Sequence, residues 1–218
     1  MDSRYRDRQE AGQILADRLE HLAGRSDVTV LGLVRGGVPV AAAVARQLGV
    51  PLDALVVRKL GVPAAPEVAF GAVGPGGVRV LNEPLSSRLS AGQVDEVVRR
   101  ELAELERRER TYRAGRPTLR LDDRIAVIVD DGLATGATAR AAVAVARQLG
   151  AKRVVVAVPV AAPDAYQSLA ADADEVVSPL LPPDFGAVSR YYVDFHDVPD
   201  QEVTTALTSV DRRTDGPG

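Results

Sequence analysis

Two adjacent carboxylates and two threonine hydroxyls lie close together in the stretch 126–138, AVIVDDGLATGAT. An apolar strand leads into Asp130 and Asp131, and a loop of small residues then opens an Ala-rich helix. The loop N–H groups, the Thr135 and Thr138 hydroxyls and the positive end of the helix suit a phosphate monoester. Carboxylates would repel that phosphate, so we expect the acidic pair to accept hydrogen bonds from neutral hydroxyls nearby. A ligand with a phosphate at one end and a diol at the other, such as ribose 5-phosphate, satisfies both halves.

A glycine pair follows the first apolar run of the chain. Arg35, Gly36 and Gly37 come directly after residues 28–34 and before a helical pattern. Paired glycines allow the backbone to approach an anion closely, the helix start supplies N–H donors, and Arg35 supplies charge. Turns of this kind are more often structural than functional, so the pattern alone leaves both interpretations open.

A cationic pair, Arg58 and Lys59, ends the second predicted strand. Adjacent cations at a strand end are usually part of a solvated surface. Only two of the 27 Lys and Arg residues are lysines, Lys59 and Lys152. A lysine at position 59 in such a chain hints at a need for a compact ammonium group there.

The elements that must position these residues alternate between strands and helices. Strands are predicted over 28–34, 52–58, 78–81, 124–129, 153–158 and 175–178, and helices over 5–22, 38–48, 90–114, 138–149 and 163–171. This alternation predicts an α/β fold with a doubly wound, mainly parallel sheet. Ligands bind such sheets beyond the carboxyl ends of the strands, where Asp130 lies.

The chain of 218 residues is long enough for one well-buried α/β domain with a small accessory part. We expect a core domain over 1–178, an accessory segment over 179–207 and a disordered tail over 208–218. The segment 60–77 is rich in Gly, Pro and Ala and lacks periodicity, so it is predicted to be a flexible functional loop.

Composition excludes several classes of protein and site. The absence of cysteine excludes disulfides and thiolate metal sites, and only His21 and His196 offer imidazole. The net charge is −3 and no basic face is interleaved with aromatics, so nucleic acid is not the expected partner. No apolar run reaches about 18 residues, and residues 1–4 lack the form of a signal peptide. We therefore expect no membrane association and a cytoplasmic location.

The stretch 126–138 resembles the signature of the type I phosphoribosyltransferases, in which four apolar residues and two acids precede a Thr-Gly-x-Thr loop. The resemblance implies that Asp130 and Asp131 are catalytic and bind the ribose hydroxyls of phosphoribosyl pyrophosphate (PRPP). It implies that the 5′-phosphate is bound by the loop Ala134, Thr135, Gly136, Ala137 and Thr138.

The resemblance extends to the two cationic segments. Arg35, Gly36 and Gly37 look like the pyrophosphate-binding loop, which implies a non-proline cis peptide near Val34–Arg35. The pair formed by Arg58 and Lys59 leads, in related enzymes, into a flexible loop that closes over pyrophosphate. The resemblance therefore implies that Arg58 binds PRPP and that Lys59 stabilises the leaving group.

The acceptor is the least determined part of the resemblance. The aromatic cluster at 185–195 fits a small satellite core, and it is also similar to the hood of 6-oxopurine enzymes. The hood interpretation implies that Tyr191 or Tyr192 stacks a flat acceptor, and that Asp194 reaches the metal through water. Ala134 stands where those enzymes carry an Asp and where adenine enzymes have Ala. Loop and hood therefore point to different acceptors.

Three other features bear on the site. Glu67, on the expected flexible loop, is a further candidate for acceptor binding. Gly132 replaces the bulky apolar residue that usually follows the acidic pair. The long helix over 90–114 is not a common element of the family, and we expect it to be solvated or to face a dimer partner.

The resemblance implies a Mg²⁺-dependent phosphoribosyltransferase that acts on small molecules. It would transfer the 5-phosphoribosyl group of PRPP to a nitrogenous, purine-like acceptor with release of pyrophosphate, and it would form a homodimer. Two alternatives stay open at this point. One is a regulatory protein that binds PRPP without turnover, and the other is transfer to a non-nucleobase acceptor.

Overall fold

The computed structural model describes residues 4–214, without the side chains of residues 67 and 211–214. The strands are β1 (Val28–Leu33), β2 (Leu52–Leu55), β3 (Arg58–Val62), β4 (Ala65–Gly74), β5 (Val78–Leu81), β6 (Ile125–Val129), β7 (Arg153–Ala157) and β8 (Glu175–Val177). The helices are α1 (Arg8–Asp17), α2 (Gly37–Leu48), α3 (Glu83–Ser86), α4 (Ala91–Tyr112), α5 (Ala137–Gln148), α6 (Pro163–Leu169) and α7 (Asp200–Thr214).

Five strands form one parallel sheet in the order β2-β1-β6-β7-β8. Its central strand β6 and its neighbour β1 are buried along their whole length, because helices cover both faces of the sheet. This confirms the predicted doubly wound α/β fold. The apolar runs that identified these strands in the sequence are the ones that fill the interior.

Each face of the sheet has its own hydrophobic core. Val28 and Val30 point towards α1, α2 and α7, while Leu31 and Leu33 point towards α5 and α6. Alternate residues of one strand thus serve different layers, as the twofold repeat of a strand requires. The result is a rigid platform whose carboxyl edge carries the loops of interest.

The order in which the chain adds strands to the sheet reverses between β1 and β6. The segment after β1 leads through α2 to β2 on one side, whereas β6, β7 and β8 extend the sheet on the other. The loops that follow β1 and β6 therefore lead to opposite faces of the sheet, and a crevice lies between them. The glycine turn at 35–37 and the acidic pair at 130–131 both border this crevice.

The segment 60–77 lies mostly in the hairpin of β3 and β4 rather than in a loop without regular structure, whereas its flexibility stays a prediction. Strands β3, β4 and β5 form a second, antiparallel sheet that α4 and α5 cover from two sides. Phe70 in the middle of β4 is fully buried, and Gly74 lies directly against Val145 of α5. Small residues here allow close packing, although the same residues resemble a loop when they are read in isolation.

The long helix α4 begins with a capping box, in which Ser90 and Gln93 satisfy each other's backbone N–H groups. Val97, Val98 and Leu105 form a buried stripe at helical spacing that packs within the chain. The opposite face is exposed and charged, with Arg110 paired to Glu106 four residues before it. The helix thus has one packed face and one solvated face.

Within residues 4–214, no helix combines the length and the hydropathy that crossing a membrane would need. This holds for α4 as well, the longest helix of this part of the chain, whose exposed face is charged.

The tail prediction over 208–218 is wrong as far as the structure describes it. Helix α7 continues to Thr214 and lies against α2. Val203, Leu207 and Val210 are buried, at the spacing of one helix face. That apolar stripe outweighs the polar composition around it. Residues 215–218 lie outside the described part of the chain.

Candidate functional site

The loops that follow β1 and β6 contact each other at the carboxyl edge of the sheet. Gly37 lies so close to β6 that a Cβ atom there would stand 2.5 Å from the Val129 carbonyl oxygen and 2.8 Å from Asp130 Cα. A Cβ atom on Gly36 would collide with the Asp131 carboxylate. Glycine is required at both positions because the acidic pair occupies the space of a side chain. The structure therefore brings two sequence-predicted motifs together.

The Val34–Arg35 peptide bond is cis, as the family resemblance implies. Arg35 itself is exposed, and α2 begins two residues later at Gly37. A cation and the free N–H groups of a helix start thus lie beside the crevice. This arrangement fits an anion-binding role for the turn, which stays a prediction.

The acidic pair is half-buried and held by hydrogen bonds. The Asp131 N–H donates to Asp130 Oδ1 at 2.9 Å, and the Tyr192 hydroxyl donates to the Asp131 carbonyl oxygen at 2.7 Å. Burial, and then the charge of Asp131, raises the pKa of Asp130 well above its ordinary value. Burial also raises the pKa of Asp131, although Arg8 opposes that effect. Two carboxyl groups of this kind are suited to accept hydrogen bonds from a diol.

Arg8, the first residue of α1, contacts the acidic pair and was missed by sequence reasoning. Its Nε and Nη2 donate to a single oxygen, Asp131 Oδ2, at 3.0 and 2.9 Å. Its Nη1 donates to the His196 carbonyl oxygen at 2.9 Å, and its guanidinium lies 4.1 Å from the centre of the Phe195 ring. These partners are more than 100 residues away along the chain. No local spacing could therefore have identified Arg8.

The candidate phosphate loop is an exposed turn in front of α5. Gly136 adopts a φ of 73°, in the left-handed region, and precedes Ala137, the first residue of the helix. Thr135 Oγ1 accepts a hydrogen bond from the Ala137 N–H at 3.4 Å. Ala134, Thr135 and Thr138 are exposed at the mouth of the crevice. The geometry fits the predicted binding of a phosphate at a helix N-terminus.

Arg58 and Lys59 are neighbours on β3, and both line a cavity of about 370 Å³ beside α4. Arg58 donates through Nε and Nη2 to Glu101 Oε2 of α4, at 2.9 and 2.7 Å. Its side chain is still 31% exposed, so the binding of PRPP by Arg58 stays a prediction. Lys59 also lines a second cavity, of about 790 Å³, together with Ala137. Glu67 lies on β4, and its side chain is outside the described residues.

Tyr192 belongs to a small core and does not form a stacking surface. It is 4% exposed, and its ring packs against Tyr5 and Phe195 at centroid distances of 5.5 and 5.0 Å. The prediction that Tyr192 stacks an acceptor is therefore wrong. Tyr191 packs on Phe185 with ring centroids 5.7 Å apart and remains partly exposed. Of the two tyrosines, only Tyr191 has ring surface left for a ligand.

Asp194 is exposed and paired with a histidine. The Nδ1 atom of His196 lies 2.9 Å from Asp194 Oδ1, and its Nε2 atom lies 3.0 Å from Glu202 Oε2. The hydrogen bond from His196 lowers the pKa of Asp194, and those to Glu202 and Asp194 raise the pKa of His196. In the described part of the chain, no three His, Asp or Glu side chains form a group that could hold a metal ion. A contact of Asp194 with metal through water stays a prediction.

The structure explains why glycine follows the acidic pair. A Cβ atom on Gly132 would stand 2.6 and 2.7 Å from the γ-methyl carbons of Val188 and 3.2 Å from a methyl carbon of Val160. Val188, from the segment after β8, thus fills the space that a bulky residue at position 132 would occupy. The missing side chain is supplied by a distant part of the chain.

We expect Gly132→Ala to destabilise the protein by about 1–3 kcal/mol, because it overpacks this contact. The double variant Gly132→Ala/Val188→Ala should recover most of the loss, since Val188 supplies the closest of the colliding atoms. Chemical denaturation of the three variants measures both effects. Gly92→Ala on α4 is the control, because nothing lies within 4 Å of its new Cβ atom. Equal losses in the single and double variants would contradict this packing.

This combination of fold and site has known relatives. Residues 5–196 match the family described as phosphoribosyl transferase domain, and the chain belongs to that family. The crystal structure of TT1426 from Thermus thermophilus is similar, with 46% identity and a TM-score of 0.86. The match covers 94% of this chain and 98% of TT1426. AQ2163 from Aquifex aeolicus, at 13% identity and a TM-score of 0.51 over 87% of each chain, shares the fold.

A curated relative from Mycobacterium tuberculosis H37Rv is named "Putative phosphoribosyl transferase Rv0571c". It is 52% identical over 210 residues, which are 95% of this chain and 47% of that protein. The chain thus spans about half the length of the curated relatives that it matches. The matched part of this chain includes the glycine turn, the acidic pair and the phosphate loop.

Proposed function

We propose that this protein binds PRPP and Mg²⁺ and transfers the 5-phosphoribosyl group to a nitrogenous, purine-like acceptor, with release of pyrophosphate. The observation that supports this proposal is the contact between the glycine turn at 36–37 and the acidic pair at 130–131, beside the exposed loop at 134–138. This proximity supports a site in which the glycine turn would bind the pyrophosphate, the acidic pair the diol and the loop the phosphate of PRPP.

Different residues of the crevice would bind different parts of PRPP. The carboxylates of Asp130 and Asp131 accept hydrogen bonds from the ribose hydroxyls, and the loop before α5 binds the 5′-phosphate. As the bond from the sugar to pyrophosphate breaks, positive charge develops on the ribose, and the nearby carboxylates stabilise it. Arg35 and Lys59 stabilise the negative charge that develops on the departing pyrophosphate.

Mg²⁺ would be bound in this site mainly by oxygens of PRPP rather than by protein side chains. The described residues hold no ready cluster of metal ligands, whereas a pyrophosphate offers the hard oxygens that Mg²⁺ prefers. When bound, the ion neutralises charge on the leaving group. This chain would contribute few ligands of its own. We also propose that the protein acts as a homodimer, as the family resemblance implies.

The acceptor site favours a base that reacts without help from the phosphate loop. Ala134 provides no carboxylate at the position where 6-oxopurine enzymes carry one, so we propose adenine-like before guanine-like acceptors. The burial of Tyr192 removes one of the two rings expected to stack on the base. That observation favours, as a second candidate, transfer to a non-nucleobase acceptor.

The experiment that tests the proposed function follows pyrophosphate release from PRPP and Mg²⁺ with a panel of acceptors. Adenine, guanine, hypoxanthine and uracil are compared with simple amines, in wild type and in Ala134→Asp. We expect release that depends on an acceptor, with adenine ahead of guanine and the order shifted towards guanine in the variant. PRPP binding without release on any acceptor would favour a regulatory protein instead.

The phosphate loop gives a direct prediction for donor binding. We expect Thr135→Ala and Thr138→Ala each to weaken PRPP binding by about 1.5–3 kcal/mol, typical for a hydrogen bond to a charged group. Calorimetric titration at constant Mg²⁺ measures the change. Thr111→Ala is the control, because the hydroxyl of this half-buried threonine donates to the Arg107 carbonyl oxygen within α4. Unchanged affinity in both loop variants would remove the phosphate-loop assignment.

Lys59 distinguishes transfer from simple binding. If its ammonium group stabilises the leaving group, Lys59→Ala lowers kcat far more than it weakens PRPP binding, because the contact strengthens as charge develops. Steady-state kinetics and calorimetry on the same protein separate the two quantities. Lys152→Ala is the control, since Lys152 pairs with Asp27 on the surface. Equal losses in binding and in kcat/KM, with kcat unchanged, would limit Lys59 to a binding role.

A further inference from the structure

The pair formed by Arg8 and Asp131 uses only one oxygen of the carboxylate. Both Nε and Nη2 of Arg8 donate to Oδ2, and the same oxygen lies against Gly36. The second oxygen, Oδ1, takes no part in the pair. A carboxylate fixed in this way has one oxygen committed to the protein and a defined direction for the other.

Arg8 is itself held from several sides. Its side chain is 8% exposed, its Nη1 donates to the His196 carbonyl oxygen, and its guanidinium stacks on Phe195. The segment before α1 pairs with the chain near Tyr192, through hydrogen bonds of 2.8 Å from the Tyr5 N–H to the Tyr191 carbonyl oxygen and from the Val193 N–H to the Tyr5 carbonyl oxygen. The guanidinium therefore reaches Asp131 from a rigid base rather than from a mobile terminus.

Several charged and titratable groups face this carboxylate. Asp130 adjoins it in the same loop, Arg8 faces it from α1, and the Tyr192 hydroxyl bonds to its main chain. Burial raises the pKa of Tyr192 far above neutrality, so that hydroxyl stays protonated. On the far side of Arg8 lie Asp194 and His196, which pair with each other.

These charges make Arg8 the group that opposes protonation of the acidic pair. Burial raises the pKa of both carboxyl groups, and Asp131 raises that of Asp130 further. Arg8 acts against this rise at both residues, most strongly at Asp131, to which it is bonded. A protonated Asp131 would turn an acceptor into a donor and could no longer stabilise positive charge on a sugar.

We propose that Arg8 is a positioning residue of the donor site, which keeps Asp131 ionised at neutral pH and directs its Oδ1 towards a ribose hydroxyl. The N-terminal helix is then part of the site, although it lies far from the acidic pair in the sequence. This inference rests on the proposed function, because it assumes that the acidic pair binds the donor.

The test compares PRPP binding, at constant Mg²⁺, across pH 5–9 in wild type, Arg8→Lys and Arg8→Met. Loss of the cation should move the acid limb of binding up by about 1–3 pH units in Arg8→Met, the range seen when an opposite charge is removed from a carboxyl group. Affinity should recover at the alkaline end, and the profile of Arg8→Lys should lie between those of wild type and Arg8→Met. Arg46→Met is the matched control, because Arg46 borders the same surface cavity as Arg8 and bonds to Ser209 instead. His196→Gln checks that titration of this histidine does not shape the profile.

The outcomes separate a positioning role from a structural one. An Arg8→Met protein with the wild-type pH profile, or with affinity lowered equally at every pH, would overturn the proposal. If Arg8→Met does not fold, an NMR titration of the Asp131 carboxyl carbon in wild type and Arg8→Lys decides, because the weaker contact of lysine must still raise the pKa of Asp131. The binding experiment and the NMR titration together separate failure of the proposed function from failure of this inference. A wild type that binds no PRPP would refute donor binding, while an unchanged carboxyl pKa in Arg8→Lys would refute the role of Arg8.

Discussion

Asp130→Asn is expected to lower turnover by about a hundredfold to a thousandfold while making the unliganded protein more stable. The loss of turnover follows from the removal of a charge that stabilises the developing positive charge on the ribose, an effect of the size found for other electrostatic groups in active sites. The gain in stability follows from the enclosure of the Asp130 carboxyl beside Asp131. An asparagine keeps the Oδ1 acceptor for the Asp131 N–H without the buried charge.

The gain in stability should depend on pH in a defined direction. Burial and the charge of Asp131 raise the pKa of Asp130 in the folded protein above its unfolded value of about 3.9. Between these two pKa values the folded state binds more protons than the unfolded state, so the stability of the wild type falls as pH rises. The neutral amide of the variant carries no such penalty. The variant should therefore gain most at neutral and alkaline pH, and its advantage should vanish as pH falls towards about 4, near the unfolded pKa.

Thermal denaturation of wild type and Asp130→Asn between pH 4 and pH 9 measures this effect. Asp184→Asn, at an exposed position, serves as the control and should change neither stability nor turnover. A variant that is less stable than the wild type at pH 8 would show that the enclosed carboxylate contributes to the fold. In that case Asp130 would contribute to both stability and turnover, and the two would not oppose each other at this residue.

Asp131→Asn is expected to have the opposite effect on stability, although it should also abolish turnover. It removes the charge that Arg8 faces inside the protein, and side chains of 8% and 16% exposure leave little water to replace it. Breaking a buried ion pair from one side costs about 3 kcal/mol or more, because the remaining charge loses its compensation. Two adjacent acids of the same motif thus differ in their structural roles.

The double variant Arg8→Met/Asp131→Asn tests the reason for this loss. Removal of both charges should recover most of the free energy of unfolding, as found when buried pairs are replaced together. Urea denaturation gives the coupling between the two sites. Asp27→Asn is the control, because it breaks the exposed pairs with Arg25 and Lys152 and should cost much less. Additive losses in the double variant would contradict a direct partnership of Arg8 and Asp131.

The sequence alone was sufficient to predict the central sheet and the loops that follow its strands. Apolar runs such as 125–129 identify a strand buried on both faces, and the residues that follow it must then lie at the carboxyl edge. The turn at 35–37 and the acidic pair were predictable because each is a local pattern after a strand. Even their contact is a consequence of the parallel order of β1 and β6.

Features that depend on distant contacts could not be predicted in the same way. The ion pair of Arg8 joins residues 123 positions apart, and Val188 fills the space beside Gly132 from 56 positions further along the chain. Tyr192 appeared to be a stacking residue because a cluster of aromatics has the same composition in a satellite core and in a binding surface. Only the packing around each ring distinguishes these two cases.

Two elements were misjudged because composition was given more weight than packing. Strand β4 contains small residues where α4 and α5 press against it, and these residues also occur in loops. Helix α7 is polar overall, but its apolar residues at 203, 207 and 210 lie on one face. In both cases the neighbouring layer decides the conformation, and that layer is not visible in a short window of sequence.

The proposed donor site is one crevice that would hold both ends of PRPP. Calorimetric titration of the wild type with PRPP, ribose 5-phosphate and pyrophosphate, each at the same Mg²⁺ concentration, tests this most directly. We expect saturable binding of one PRPP per chain, at least about tenfold tighter than that of either fragment, because the loop at 134–138 and the glycine turn would each bind a different end. No binding of PRPP, or ribose 5-phosphate binding as tightly as PRPP, would contradict it.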